Sequence, residues 1–411
     1  MYKETRQEKI IQLLRNEGQA SVSFLASHFG VTKETIRTDL SQLQGDGLVV
    51  RHHGGVSLKK HLMQNDLLQG DSNLDIRHLM QTHHTTYSTH NPRGVSSMPM
   101  SGKVCVFGSF NVDIVAKVNR FPKNGETLIA KETTFGPGGK GANQALAAHS
   151  AGARVHFATK VGKDQFNQFA RNHFDACGIE SVSLYEAETT STGSAVIYVN
   201  DDGENFIAIC PGANHLVTSE EVAELLPYIS GSKVLLVQLE NNFDAIDGVM
   251  KLAKGLNVQV ILNPAPYSSE VDKFIANADI ITPNETEASQ ISGIEITDIE
   301  SAKKAAAVIH DKGAKFIIIT MGRLGSVLFD GEQYAHIPAY NAVAVDTTGA
   351  GDSFNGALAA SLAKGKTLPQ AALYATAFAS LAVEREGAAN MPNHVLVEAR
   401  MLQQQISIKV I

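Results

Sequence analysis

The chain has no tryptophan and only three cysteines in 411 residues. Cys105, Cys177 and Cys210 lie far apart and form no CxxC pair. That excludes a disulfide framework and a cysteine-built zinc site, and it predicts buried free thiols in a reducing compartment. No apolar run approaches the roughly 20 residues needed to span a bilayer, so no membrane partner is expected. The N-terminus, Met1-Tyr2-Lys3-Glu4-Thr5-Arg6, mixes both charge signs and lacks a signal-peptide core, which predicts a cytoplasmic protein. An overall basic charge is also missing: the formal net charge is −7. The balance is uneven, however, because residues 1–60 carry +3 and the remainder −10. A mildly basic head on an acidic body predicts two or three domains with two tasks.

What the chain does have is glycine, 34 residues of it, and one glycine stretch near the C-terminal end carries the sharpest signal. It runs Asp346-Thr347-Thr348-Gly349-Ala350-Gly351-Asp352-Ser353-Phe354-Asn355-Gly356. Val343-Ala344-Val345 before it predicts a buried strand. The glycines predict a turn, and Phe354, Ala357, Leu358 and Leu362 recur at helical spacing beyond it. Unpaired N–H groups at a helix start attract an anion. A carboxylate beside them is poorly placed to bind that anion. It is well placed to take a proton from a nucleophile attacking it. Phosphoryl transfer to a hydroxyl fits, with Asp352 as base and Gly349, Ala350 and Gly351 as the anion hole. Spacing alone also allows a plain glycine turn with Asp352 as a helix cap.

Residues 1–57 predict a separate head. Ile10, Ile11, Leu13 and Leu14 line one side of a first helix, a second runs from Ser21 to Gly30, and Thr32 caps a third. On the third helix Ile36, Leu40 and Leu43 face inward, while Lys33, Thr35, Arg37 and Thr38 face out. Two helices joined at Gly30-Val31 make a helix-turn-helix, and residues 48–58 around His52-His53-Gly54-Gly55 predict a hairpin wing. The run from Arg6 to Val56 resembles the winged helix-turn-helix of DeoR-type bacterial repressors. That resemblance implies an operator DNA partner met by Thr35 and Arg37, with Lys33 and Arg51 on phosphates. A module for protein contacts is the alternative.

Residues 58–101 are polar and weakly periodic and hold His61, His78, His83, His84 and His90. Their spacing fits no standard metal site, so a solvated linker is expected, with a helix over residues 66–79.

Residues 102–411 alternate strand-like runs (near 104–108, 155–160, 234–239, 258–262, 279–282 and 316–320) with amphipathic ones (near 143–151, 164–177, 244–254 and 299–312). This predicts an α/β body with a largely parallel sheet covered on both faces. Residues 127–135 and 191–209 interrupt the alternation and predict antiparallel strands of a small β-sheet lid, about 112–135 and 182–210.

Four more clusters carry chemistry. Asn111 and Asp113 follow the first body strand and suit sugar hydroxyls, although a polar loop reads the same way. Gly136-Pro137-Gly138-Gly139-Lys140-Gly141-Ala142-Asn143 spells G-x-G-x-x-G but does not directly follow the first body strand, and Gly141 stands where a P-loop needs Ser or Thr, which leaves Lys140 and Asn143 aimed at a small polar ligand. Asn284 and Glu287 share one face of a helix start. Glu287 there is either an organiser of hydrated Mg²⁺ or half of a capping box. Thr320-Met321-Gly322-Arg323-Leu324-Gly325 is a strand end and tight loop suited to a nucleotide.

Together these clusters resemble the ribokinase family of sugar kinases over residues 103–400. The matching pieces include Asn111-x-Asp113, Gly139-Lys140-Gly141-Ala142-Asn143-Gln144, Gln238-Leu239-Glu240, Asn263-Pro264-Ala265-Pro266 and the Asp346–Gly356 block. The resemblance implies a three-layer α/β/α fold with a lid, and ATP-dependent phosphorylation of D-ribose at O5. It implies a sugar site of Asn111, Asp113, Gly139, Lys140, Asn143, Glu240 and Asp352. ATP would meet Asn284, Thr320, Met321, Gly322, Arg323, Leu324, Gly325, Gly351, Asp352 and Thr376. Mg²⁺ would be held through water by Glu287, and K⁺ beside Asp346, Thr348, Val383, Arg385, Gly387 and Met391. Lid pairing and repressor dimers imply a homodimer. Two alternatives stay open: a transcription regulator with a kinase-like sensing domain, or a kinase for another pentose or a nucleoside.

Overall fold

A computed structural model describes residues 6–58, except 8–9, 11–12, 15–18, 30, 46–48 and 53–54, and residues 102–411, except 180. The expected linker, its histidines and its helix over 66–79 lie outside the described residues. The chain divides into two units, Met1–Ser96 and Ser97–Ile411.

In the first unit, Val22–Phe29 and Lys33–Gly45 are the two helices of the expected motif. Thr32 caps the second of them: its Oγ1 accepts from Thr35 N at 3.2 Å. Ile10, Leu14, Leu25, Ile36, Leu40, Val49 and Val56 form its core. Arg6 and Asp39, both buried, pair across it. Val49–His52 and Gly55–Leu58 form the antiparallel wing, extended by Gln19–Ala20 as a third strand. Lys33 and Arg37 stand exposed on the second helix, and Thr35 is half-buried. Arg37 also reaches Glu34 at 3.1 Å. Arg51 lies in the wing, but its side chain is outside the described residues.

The second unit is built on a ten-stranded sheet. Its order is Lys409–Val410, Tyr334–Ile337, Ser326–Phe329, Phe316–Thr320, Ile280–Ile281, Gln259–Leu262, Val234–Val237, Lys103–Phe107, Arg154–Gly162 and Ser181–Ala187. From Phe316–Thr320 to Ser181–Ala187 every pairing is parallel. Alternation explains the burial on both faces. Val104, Val106, Leu236 and Ile261 pack into one core with helices Lys140–Ser150, Ala350–Ala363 and Leu368–Ala382. Cys105, Phe107, Leu235 and Val260 pack into the other with Phe243–Gly255 and Ile299–Asp311. The result is the expected three-layer α/β/α body.

A separate four-stranded sheet, Asn205–Cys210, Gly193–Val199, Asn111–Lys117 and Glu132–Gly138, is the lid. Three expectations fail here. Ser181–Ala187 pairs with Arg154–Gly162 in the body sheet, so the second lid segment begins later than 182. Residues 127–131 are not strand, because lid pairing is spent on Glu132–Gly138 against Asn111–Lys117. Residues 343–345 form no strand either, and Val343 and Val345 are 80% and 59% exposed. Val345 N donates only to the Val383 carbonyl at 2.7 Å, which makes the segment a strap rather than a sheet member. All three cysteines are free, but only Cys105 is buried; Cys177 is half-buried and Cys210 lies exposed at the end of a lid strand.

Candidate active site

The parallel strands end on one edge of the sheet, where Thr320 closes its strand and the loops leaving the others carry Ser109, Glu240, Asn263 and Thr282. The first body strand, Lys103–Phe107, lies between Val234–Val237 and Arg154–Gly162. Strand order reverses there, and such crevices bind ligands at carboxyl ends. A cavity of about 160 Å³ opens on this edge. Its lining brings together Lys140, Asn284, Glu287, Thr320 and the turn from Gly349 to Asp352.

Gly349 is the N-cap of the Ala350–Ala363 helix, at φ +75°. Only glycine takes that angle freely, and a Cβ there would come within 2.7 Å of Ala388 Cβ. Ala350 spends its N–H on Thr347 O at 3.2 Å. The N–H groups of Gly349, Gly351 and Asp352 find no protein acceptor among the described residues. Of the three residues expected to form an anion hole, Gly349 and Gly351 therefore keep an unpaired N–H, Ala350 does not, and Asp352 adds one. The plain-turn reading accounts for the backbone but not for the carboxylate.

Asp352 is 7% exposed and faces the cavity. Its Oδ2 accepts from Asn143 Nδ2 at 3.1 Å and its Oδ1 from Gln144 Nε2 at 3.0 Å. Gln144 also donates to Asn263 Oδ1 at 2.9 Å, and its Oε1 accepts from Gln238 Nε2 at 2.7 Å. These amides orient the carboxylate. Sequence reasoning assigned no role to Gln144, Gln238 or Asn263. Their signal was that uncharged amides stood directly after apolar strands, at Gln238 and Asn263, and in a helix start, at Gln144, all within the pieces that carry the resemblance.

Glu240 Oε2 accepts from Lys140 N at 3.0 Å and from the Ser109 hydroxyl, which ties it to the positive end of the Lys140–Ser150 helix. Gly139 is the N-cap of that helix. Burial alone would depress the Lys140 ammonium, but the carboxylates of Asp352, Glu240 and Glu287 outweigh it and raise its pKa above the usual lysine value. Asn111 and Asp113 sit at the root of a lid strand, with the Asp113 carboxylate against Gly138. Burial, then the charges of Glu240 and Asp352, push the Asp113 carboxyl up to about 7. A sugar hydroxyl donating to Asp113 needs the ionised form. The KM for sugar is therefore expected to fall as pH rises from about one unit below that value to about one unit above. A KM flat across this range, at saturating nucleotide, would take Asp113 out of sugar contact.

Asn284 and Glu287 form a full capping box: Asn284 Oδ1 accepts from Glu287 N at 2.8 Å, and Glu287 Oε2 from Asn284 N at 3.0 Å. The capping reading holds, and Glu287 still lines the cavity. Burial raises the Glu287 carboxyl, against the Asn284 N–H and Lys140. No group of three acidic, histidine or cysteine side chains that could cage a metal occurs among the described residues. One carboxylate beside a phosphate-sized space suits Mg²⁺ carried in by phosphates, which rarely uses an all-protein cage.

Of the remaining predicted nucleotide residues, Thr320 lines the cavity, while Met321 is buried in the core beyond it. Gly322, Arg323 and Leu324 form a short 3-10 turn closed at Gly325. Thr376 is buried, and its hydroxyl donates to Ala372 O of its own helix at 2.8 Å. The loops of Asp346 and Gly387 meet: Asp346 Oδ1 accepts from Thr348 N at 2.8 Å and Oδ2 from Gly387 N at 3.0 Å. Burial would raise the Asp346 carboxyl, but these N–H groups outweigh it and lower its pKa. Val383 O takes Val345 N and Asp346 N, and Met391 O takes Arg385 Nη1 at 3.0 Å. A monovalent cation would have the remaining lone pairs of Asp346 and of these carbonyls, and no side-chain oxygen from Met391.

Residues 101–395 match the pfkB family of carbohydrate kinases. The chain belongs to this family. Residues 6–61 match the DeoR-like helix-turn-helix domain, so a DeoR-type head precedes the kinase body. Among curated relatives, the ribokinase of Haemophilus influenzae is 38% identical over 289 residues, covering 70% of this chain and 94% of its own. The deoxyribokinase of Salmonella typhi is 34% identical, covering 69% and 93%. The solved ribokinase of Arabidopsis thaliana, complexed with ribose and ATP, superposes with a TM-score of 0.70 at 32% identity, covering 74% of this chain and 99% of that one. The pfkB carbohydrate kinase body is thus a sugar kinase of ribokinase type. No helix among its described residues is long and apolar enough to cross a membrane.

Proposed function

We propose that the body phosphorylates D-ribose at O5 with ATP, and that the head ties this enzyme to operator DNA. The observation carrying the first half is the Asp352 carboxylate, oriented by two amides beside unpaired N–H groups at a helix start. Asn111, Asp113, Gly139, Lys140, Asn143 and Glu240 bind the sugar. Asn284, Thr320 and the 321–325 loop, with Thr376 behind, hold the nucleotide. Asp352 takes the O5 proton as O5 bonds to the γ-phosphorus and the bond to the β-phosphate oxygen breaks, releasing ADP. Gly349 and Gly351 N–H groups and Lys140 neutralise charge spreading over the transferred group. Glu287 would hold Mg²⁺ through water, and the bound ion would supply further positive charge on the phosphates. Asp346, Thr348 and the carbonyls of Val383, Arg385, Gly387 and Met391 would hold K⁺, which would supply positive potential beside the anion hole.

Ribokinases and deoxyribokinases are both among the relatives, so identity alone does not choose the sugar. Asn111, whose amide at the lid root can pair with a 2-hydroxyl, favours ribose over deoxyribose. ADP release is measured across ribose, deoxyribose, fructose and adenosine with Mg²⁺ and K⁺ present. Ribose is expected to give the highest kcat/KM. No ribose-dependent turnover would favour the second reading, a regulator whose body senses a sugar. The exposed Lys33 and Arg37 of the head support DNA binding in either reading. Full-chain affinity for promoter DNA is expected to fall steeply with added salt, and a salt-independent affinity would remove the phosphate contacts. Lid pairing between two copies, with both heads on one operator, is the assembly this reading favours.

A further inference from the structure

We infer that Asn214, a residue with no part in the sugar contacts above, decides which end of the Asn111 amide meets the sugar. The inference rests on the reading of Asn111 as a sugar ligand. Asn214 is fully buried in the short 3-10 helix Gly212–Leu216. Its Oδ1 accepts from Phe110 N at 3.1 Å, and its Nδ2 donates to Phe110 O at 3.0 Å. A backbone N–H only donates and a backbone carbonyl only accepts, so the Asn214 amide has a single orientation. The second Nδ2 hydrogen goes to Asn111 Oδ1 at 2.9 Å. The carbonyl end of Asn111 is thereby occupied. Its Nδ2 has no protein partner among the described residues and is the end left for a ligand.

Two further features hold this arrangement. Asn214 O accepts from Asn241 Nδ2 at 3.1 Å, which ties the clamp to the loop carrying Glu240. Gly193, on the neighbouring lid strand, leaves room for the amide pair. A Cβ there would fall 2.3 Å from both Asn111 Oδ1 and Asn214 Nδ2.

The consequence is a contact that only donates. A sugar hydroxyl against Asn111 must accept, and a sugar lacking that hydroxyl leaves a buried N–H pair unsatisfied. Sites that hydrogen-bond a substrate group discriminate strongly against analogues without it, for this reason. Asn214 thus acts as a positioning residue for selection at the 2-hydroxyl.

The unmodified full chain is tested first, by kcat/KM for D-ribose, 2-deoxy-2-fluoro-D-ribose and 2-deoxy-D-ribose. Fluorine accepts weakly and cannot donate, so the expected order is ribose, fluoro sugar, deoxy sugar. A fluoro sugar slower than the deoxy sugar would mean that the Asn111 carbonyl faces the ligand, and would overturn the inference. Asn214→Asp still accepts from Phe110 N but sets an acceptor in place of a donor against both Phe110 O and Asn111, which turns the Asn111 amide over. This variant is expected to lose about tenfold or more of the ribose-over-deoxyribose preference, mainly through KM for ribose. Equal losses on both sugars would show a merely structural role and defeat this inference alone. A wild type inactive on every sugar would defeat the kinase reading, and this inference with it.

Discussion

Asp352→Asn is expected to lower sugar-dependent ADP release by roughly 10²- to 10⁴-fold, the range a positioned general base contributes. The substitution keeps the shape of the side chain and removes its capacity to take a proton. One amide oxygen still accepts from Asn143 or Gln144, while the new NH₂ faces the other donor. Sugar affinity, measured by calorimetry without turnover, should therefore weaken only modestly. The physical reason for the split is that the base is needed when the hydroxyl attacks, and hardly at all when the sugar docks. Near-normal turnover in this variant would take Asp352 out of the chemistry and leave the glycine turn as an anion site alone.

Gly356→Val is expected to be as damaging, for a different reason. Gly356 lies one turn beyond Asp352, where the Ala350–Ala363 helix crosses Lys140–Ser150. A Cβ there would fall 2.4 Å from Gln144 O, 2.5 Å from Ala147 Cβ and 2.7 Å from Ala148 N. Backbone sits on one side of this contact, so no side chain can swing away. The small faces continue through Ala145, Ala148, Ala357 and Ala360, all fully buried. A branched side chain must push the helices apart, at a cost of about 1–3 kcal/mol by the usual overpacking range. Separation also draws Asn143 and Gln144 away from the Asp352 carboxylate. Loss of thermal stability with a larger fractional loss of turnover is the expected pattern. Unchanged stability would mean that the helices do not meet at this glycine.

Much of this arrangement was legible before any coordinates. Apolar strand runs alternating with amphipathic ones gave the α/β body, because parallel strands covered on both faces must be apolar on both. Gly349 to Asp352 gave the turn and its carboxylate, because glycine angles and helix starts are local properties. Asn284 and Glu287 illustrate a signal with two meanings: the same spacing both caps a helix and lines the cavity. The misreadings share one cause. Val343 and Val345 look like a buried strand, yet the sheet has its edges elsewhere and they lie on a strap. Residues 182–187 looked like lid because β-patterns do not name their partners. Gln144, Asn214, Gln238 and Asn263 went unassigned because a buried amide shows its purpose only when its partner is known, and those partners lie 94 to 208 residues away for Gln144 alone.

Taken by itself, the chain of residues determined the local conformations: which segments coil, which extend, where a helix can begin on a glycine, and which segment folds as a helix-turn-helix head. Only the tertiary structure decided which carboxylate is oriented by which amide, which carbonyls are already occupied, and how closely two helices can approach. The first set follows from interactions among neighbours along the backbone. The second follows from contacts between residues far apart in the chain, which exist only once the strands have paired and the helices have packed over them.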